Sequence, residues 1–284
     1  MAVVVVTDST AHLPEGFAVR HAVRVVPLHV VVDDETGLDG IDIGPLQLAT
    51  ALSQRQVVTT SRPAPDEFAK VFQAELDAGA SEVVSVHLSR HLSGTWDSAR
   101  LAAEEIGPDR VRVVDSRTTG MGLGFAALRA AAAAAEGATA FDVEAAAVTA
   151  SARTKTYFMV ETLEYLRRGG RIGAAAALVG TALAVKPVLH VADGRIMPLE
   201  KVRTAGRALT RLVELSAEAA GDGPVSLAVH HLAAPERAAE LATRLEERLP
   251  HSSGCVVSEL GAVIGAHTGP GVLGVVVLPD MTRP

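Results

Sequence analysis

The sequence predicts an α/β protein of two domains, residues 1–155 and 156–284, on three observations. Short valine-rich runs alternate with stretches of helical period. Several of those runs end in small polar residues, which puts such residues at the carboxyl ends of strands, where ligands sit in open α/β sheets. Finally, 48% of the 284 residues are hydrophobic, which is enough to fill a substantial core.

In chain order, residues 3–6 read as a buried strand closed by Thr7-Asp8-Ser9-Thr10, and 23–32 as a second apolar run. Amphipathic stretches at 46–53, 65–78 and 95–106 read as helices, and 82–88 and 111–114 as strands that end in Ser89 and in Asp115-Ser116. This alternation is the rhythm of a parallel sheet covered by helices. Residues 120–152 are dominated by alanine and broken by Gly137 and Asp142, so two helices joined by a turn fit better than disorder. The composition then becomes mixed, which places the domain boundary near residue 155. Beyond it, 156–160, 188–191, 225–230, 255–259 and 274–278 read as strands, 204–219 and 235–249 as helices, and Asp193-Gly194 as a turn.

The low-polarity stretch 173–185 is 13 residues long, too short to cross a bilayer and suited to a buried helix. The amino terminus has no basic region and its apolar run stops too early for a signal peptide. Cys255 stands alone, so neither an internal disulfide nor a thiolate metal cluster can form. A cytoplasmic protein with no integral membrane segment is expected. A formal charge of -7 and one Trp with two Tyr argue against nucleic acid as a partner.

Four distant stretches are rich in hydroxyls, glycines and cations: Thr59-Thr60-Ser61-Arg62-Pro63, His91-Leu92-Ser93-Gly94-Thr95, Arg167-Arg168-Gly169-Gly170-Arg171 and Gly265-Ala266-His267-Thr268-Gly269-Pro270-Gly271. If the fold gathers them, they would ring one anion. Taken singly, Thr59 to Ser61 and Ser93 read equally well as helix caps. Ser93 with His267 as base and Asp8 or Asp115 as orienter would make a hydrolase, but no Gly-x-Ser-x-Gly elbow is present. Residues 269–274 match the dinucleotide fingerprint in letters yet lead into a strand, and no phosphate-cradling Gly-x-x-x-x-Gly-Lys-Ser/Thr loop exists. His87, His91 and the pair His230-His231 lack the neighbours a metal site needs, so no metal and no cofactor are expected. An interaction protein whose interior is filled by side chains is a third reading.

Taken in series, the chain resembles the DegV family of fatty-acid-binding proteins. The matching segments are Thr7-Asp8-Ser9-Thr10-Ala11, Thr60-Ser61-Arg62-Pro63-Ala64-Pro65, Leu92-Ser93-Gly94-Thr95-Trp96, Asp115-Ser116 with Gly120, Gly122 and Gly124, residues 163–172, Lys186-Pro187-Val188-Leu189, Asp193-Gly194, Lys201-Val202-Arg203-Thr204, and residues 265–271. The resemblance implies a three-layer α/β/α first domain on a parallel sheet, a second α/β domain with a mixed sheet, and a long-chain fatty acid buried between them. It further implies that Thr60 and Ser93 bond the carboxylate, that Ser61, Gly94, His267 and Thr268 complete the polar end, and that Arg171 biases its charge. Arg203 and Arg168 would face the catalytic subunit of a fatty-acid kinase, which phosphorylates the bound carboxylate. On this reading the chain is itself non-catalytic, serves phospholipid metabolism and is compatible with transient membrane contact. Arg62 stands where the family usually has Gln, and Thr118-Thr119-Gly120-Met121-Gly122 is also less typical.

Overall fold

The computed structural model describes residues 2–178 and 186–280. The strands of the first half are β1 (Val3–Asp8), β2 (Val23–Val26), β3 (His29–Val32), β4 (Glu35–Leu38), β5 (Val58–Ser61), β6 (Glu82–His87) and β7 (Val111–Asp115). Its helices are α1 (Phe17–Arg20), α2 (Pro45–Ser53), α3 (Pro65–Asp77), α4 (Thr95–Ile106), α5 (Met121–Ala135) and α6 (Ala140–Arg153). The second half adds β8 (Lys155–Met159), β9 (Lys186–Ala192), β10 (Arg195–Val202), β11 (Val225–His231), β12 (Ser252–Glu259) and β13 (Leu273–Pro279), with α7 (Glu164–Arg168), α8 (Ala205–Ala220), α9 (Pro235–Arg248) and α10 (Ala262–Thr268).

Strands β2-β1-β6-β7 form a parallel sheet. Helices cover both faces, which is why β1 and β6 are nearly continuous apolar runs. On one face lie α3 and α4. Helix α3 starts at Pro65, its Glu67 accepts from the Ala64 amide at 2.7 Å, and its Phe68, Phe72 and Leu76 recur every four residues to pack inward. On the other face lie α5 and α6, and here the alanines matter. Ala126, Ala127 and Ala130 of α5 and Ala147 of α6 belong to one core that also contains Val84 and Val86 of the first sheet and Val276 and Leu278 of the second. These two helices are therefore a thin layer held between two sheets, with small side chains on both sides.

The second sheet, in the order β10-β9-β8-β13-β11-β12, is mixed: β11 and β12 run parallel and the other neighbours antiparallel. Its far face is covered by α8 and α9. Several local expectations change. Residues 23–32 are not one strand: the chain breaks at Pro27, which lacks an N–H to continue a ladder, and β3 joins an antiparallel sheet β4-β3-β5. Residues 195–202 form an edge strand that tolerates Pro198 beside an irregularity in register. Residues 262–268 are helical despite Gly265 within them. Of the helix expected over 173–185, residues 173–178 form a largely exposed 3-10 turn, and 179–185 lie outside the described residues.

Candidate functional site

Between the halves is a cavity enclosing about 910 Å³ of empty space, its open mouth included. Its floor is one face of the second sheet. Phe158, Gly274 and His230 stand directly opposite one another on β8, β13 and β11, and Val191 is opposite both Thr156 and Ile196. Residues paired across neighbouring strands share a face, so this alternate set points together into the cavity. Leu28, Leu88, Leu92, Leu166, Leu260 and Val263 supply apolar walls.

Polar groups gather in the same lining: Thr60, Ser61, Ser93, Arg171, His267 and Thr268, with Arg62 beside them. Among the described residues no Asp or Glu lines it, and two guanidinium groups do. A cavity of that charge favours an anion. Gly94 sits just behind the wall, where its carbonyl accepts from Arg62 Nη1 at 3.3 Å; a Cβ on Gly94 would overlap that guanidinium. Arg62 thus lies folded over the amino terminus of α4 at the mouth.

Each polar residue is placed by its element. Along β5 exposure alternates, so Thr60 turns inward and Thr59 outward, while Ser61, at the exposed end of the strand, still reaches the cavity lining. His267 occupies the last turn of α10, and its Nε2 lies 2.8 Å from Thr60 Oγ1 across 207 positions of sequence. Burial, reinforced by the Arg171 cation, lowers its imidazole to about 4. It is therefore neutral at neutral pH. Its Nδ1 is buried without a partner. An unpaired acceptor there costs less than an unpaired donor, which favours the tautomer with the proton on Nε2, donated to Thr60. The Thr60 hydroxyl proton is then free for an acceptor in the cavity.

Ser93 lies just before α4 with its Oγ 2.8 Å from Thr95 Oγ1, and it accepts from the Thr95 amide at 3.3 Å. The N-cap position of α4 is Gly94, so Ser93 stands one residue outside the helix while lining the cavity. Arg171 donates from Nε to the Leu92 carbonyl at 2.9 Å and from Nη1 to the Gly169 carbonyl at 2.6 Å, which ties the α7 segment to the Ser93 loop. The two remaining arginines lie apart from this group. Arg168 is exposed on α7 and donates to Glu164 at 2.7 Å, and Arg203 is exposed between β10 and α8.

Two cavity residues lie outside the four anion-holding stretches of the sequence. Thr119 lines the wall with its Oγ1 buried and unpaired. His230 forms part of the floor, its Nε2 accepting from the Met121 amide at 2.8 Å and its Nδ1 lying 3.0 Å from Ser258 Oγ. Burial takes its imidazole down to about 3, so it stands as a neutral wall. His231 faces the other way, 3.7 Å from Glu259, as alternation along a strand requires. Among the described residues no group of three metal-ligating side chains occurs.

The carboxylates considered as orienters for His267 are engaged elsewhere. Asp8 accepts from the amides of Thr10 and Leu88, each at 3.0 Å, and from His87 Nδ1 at 2.9 Å. Asp115 accepts from the Arg117 amide at 2.9 Å and pairs with Arg90. A Ser-His-Asp chain does exist, in that Ser85 Oγ lies 2.6 Å from His87 Nε2, but all three residues are 0% exposed and stand off the cavity, with the Phe68 ring against His87. It is an internal brace between β1 and β6.

The family model for uncharacterised proteins of the DegV family matches residues 2–280. A DegV domain-containing protein of Streptomyces coelicolor, SCO2569, is 55% identical over 97% of this chain and 98% of its own length. The protein DegV of Bacillus subtilis is 36% identical over 97% and 98%. Among solved structures, a DegV family protein from Thermus thermophilus described for its fatty-acid binding is 35% identical with a TM-score of 0.94, covering 99% of this chain and all of the other. Bacillus subtilis DegV, described as a fatty acid binding protein, aligns at 34% identity with a TM-score of 0.90 over 99% and 100%. No helix among the described residues is long and apolar enough to cross a membrane.

Proposed function

This chain belongs to the DegV family, and on that premise we propose that it is a non-catalytic carrier that buries a long-chain fatty acid between two α/β domains, 1–155 and 156–284. The carrying observation is the Thr60–His267 pair: a hydroxyl from the first half and an imidazole from the second meet at a cavity that has apolar walls, two guanidinium groups and, among the described residues, no carboxylate in its lining. The solved relatives described as fatty-acid binding support the same ligand class.

The physics divides the ligand into two ends. An unpartnered buried carboxylate is several kcal/mol uphill, so it needs donors. Thr60 and Ser93 supply hydroxyls, Ser61, Gly94 and Thr268 surround them, and His267 and Arg171 set the charge. At the other end each buried methylene contributes about 0.8 kcal/mol, so a chain of roughly 14 gives on the order of 11 kcal/mol gross, less the cost of immobilising it. The tail gives affinity and the head group gives orientation.

In this reading the chemistry belongs to a cytoplasmic partner, the catalytic subunit of a fatty-acid kinase, which brings the nucleotide and converts the presented carboxylate to an acyl phosphate. Arg203 and Arg168, exposed outside the cavity, face that partner. The head-group assignment is tested by Thr60→Ala and Ser93→Ala. Each variant is expected to keep its fold and to bind palmitate about 10- to 100-fold more weakly, the value of a hydrogen bond to a charged group. Unchanged affinity in both would remove the site.

A further inference from the structure

We infer that Gly274 sets how long an acyl chain the cavity accepts, an inference that rests on the carrier reading above. Gly274 is flanked on β13 by Phe158 of β8 and His230 of β11 in direct register, and all three line the cavity. The row therefore runs ring, gap, ring across the floor. The His230 ring cannot swing into the gap, because both of its nitrogens are held.

The fold itself does not require a glycine at this position. Gly274 is not among the glycines of positive φ. A Cβ built on it would meet the Phe158 and His230 Cβ atoms at 3.5 and 3.7 Å, ordinary van der Waals contact. Contrast Gly265, where an added Cβ would overlap Leu48, and Gly173, where it would press to 2.6 Å on the Ile196 carbonyl. Two residues further along the same face of β13, Val276 is fully buried in the core and does not line the cavity. Gly274 is thus the last position on this strand open to the cavity, and a side chain grown from it enters the space a hydrocarbon tail would fill.

The test is a chain-length series, C8 to C18 saturated fatty acids, measured for the full-length protein, Gly274→Ala and Gly274→Leu. The leucine displaces about three methylenes of tail, so Gly274→Leu is expected to bind C16 and C18 roughly 50-fold more weakly while C8 and C10 stay within about twofold. Gly274→Ala is expected to shift C18 by about fourfold in the same sense, and it decides the matter if the leucine variant fails to fold. Profiles like the unmodified protein's, or a loss equal at every length, would overturn the inference and leave the carrier reading intact. If the unmodified protein binds no fatty acid of any length, both fall together.

Discussion

Thr60, His267 and Gly169 form the smallest unit on which the site depends. Gly169 closes α7 with φ −73°, a backbone any residue adopts, so its lack of a side chain serves something other than a turn. A Cβ there would overlap His267 Nδ1. We expect Gly169→Ala to push the imidazole off Thr60 and to weaken fatty-acid binding more than tenfold, with only a small change in melting temperature. Titration calorimetry beside a thermal melt separates the two effects, and wild-type affinity in this variant would show that the contact is dispensable. The buried imidazoles also fix a pH dependence. Burial holds His12 and His267 near 4 and His230 near 3. Unfolded imidazole titrates at about 6.5. Below that value the unfolded chain binds protons that the folded chain refuses, so stability is complete above about 6.5 and declines as the pH falls toward about 4. Asp39, whose carboxyl is raised by burial, acts in the opposite sense but is one group against three. A lower urea midpoint at pH 4.5 than at 7.0 is expected, and His12→Asn should reduce the difference, since Asn suits the left-handed backbone at position 12 (φ 46°). A midpoint that does not move between those pH values would contradict the assignment of neutral buried histidines.

At the scale of elements, the alanine-rich pair α5 and α6 carries the most specific demand. Ala130 and Ala147 are fully buried in the core shared by both sheets. Ala130→Leu should cost about 1–3 kcal/mol by overpacking. Ala132→Leu, on the exposed side of the same helix, should be close to neutral in the same denaturation experiment. Equal effects would mean that the layer is loosely packed. How much of the fold was readable follows the same logic of burial. Strands buried on both faces, such as β1 and β6, announce themselves as valine runs, and α3 does so by its four-residue repeat and its proline start. Strands β4 and β5 do not, because they are four residues each and half exposed, so Glu35, Thr36 and Thr59 carry no apolar pattern. Helix α10 was hidden for a different reason. Its sequence AVIGAHT holds three β-branched residues and an internal glycine between flanking glycines, a poor helix pattern, and it is helical because Leu48, Leu232 and Asp39 close around it, Asp39 Oδ1 accepting from the Ala262 amide at 2.8 Å.

Over the whole molecule, the hydroxyl and cation segments were visible as anion holders, while their meeting followed only from the family resemblance. Thr60 and His267 are joined by tertiary packing alone, and Thr119 and His230 enter the cavity through a topology that no local pattern encodes. The stack of α3/α4, first sheet, α5/α6, second sheet and α8/α9 leaves its cavity where the two halves face each other, beside the core that both sheets share, with a further core under each outer helix layer. A cavity with polar groups gathered among apolar walls is most simply a place for an amphiphile. The direct measurement is organic extraction of the purified protein followed by mass spectrometry, with calorimetric titration of palmitate into the delipidated chain. A co-purifying long-chain fatty acid, or uptake of about one palmitate per chain, is the expected result. An empty extract together with no heat of binding would contradict it.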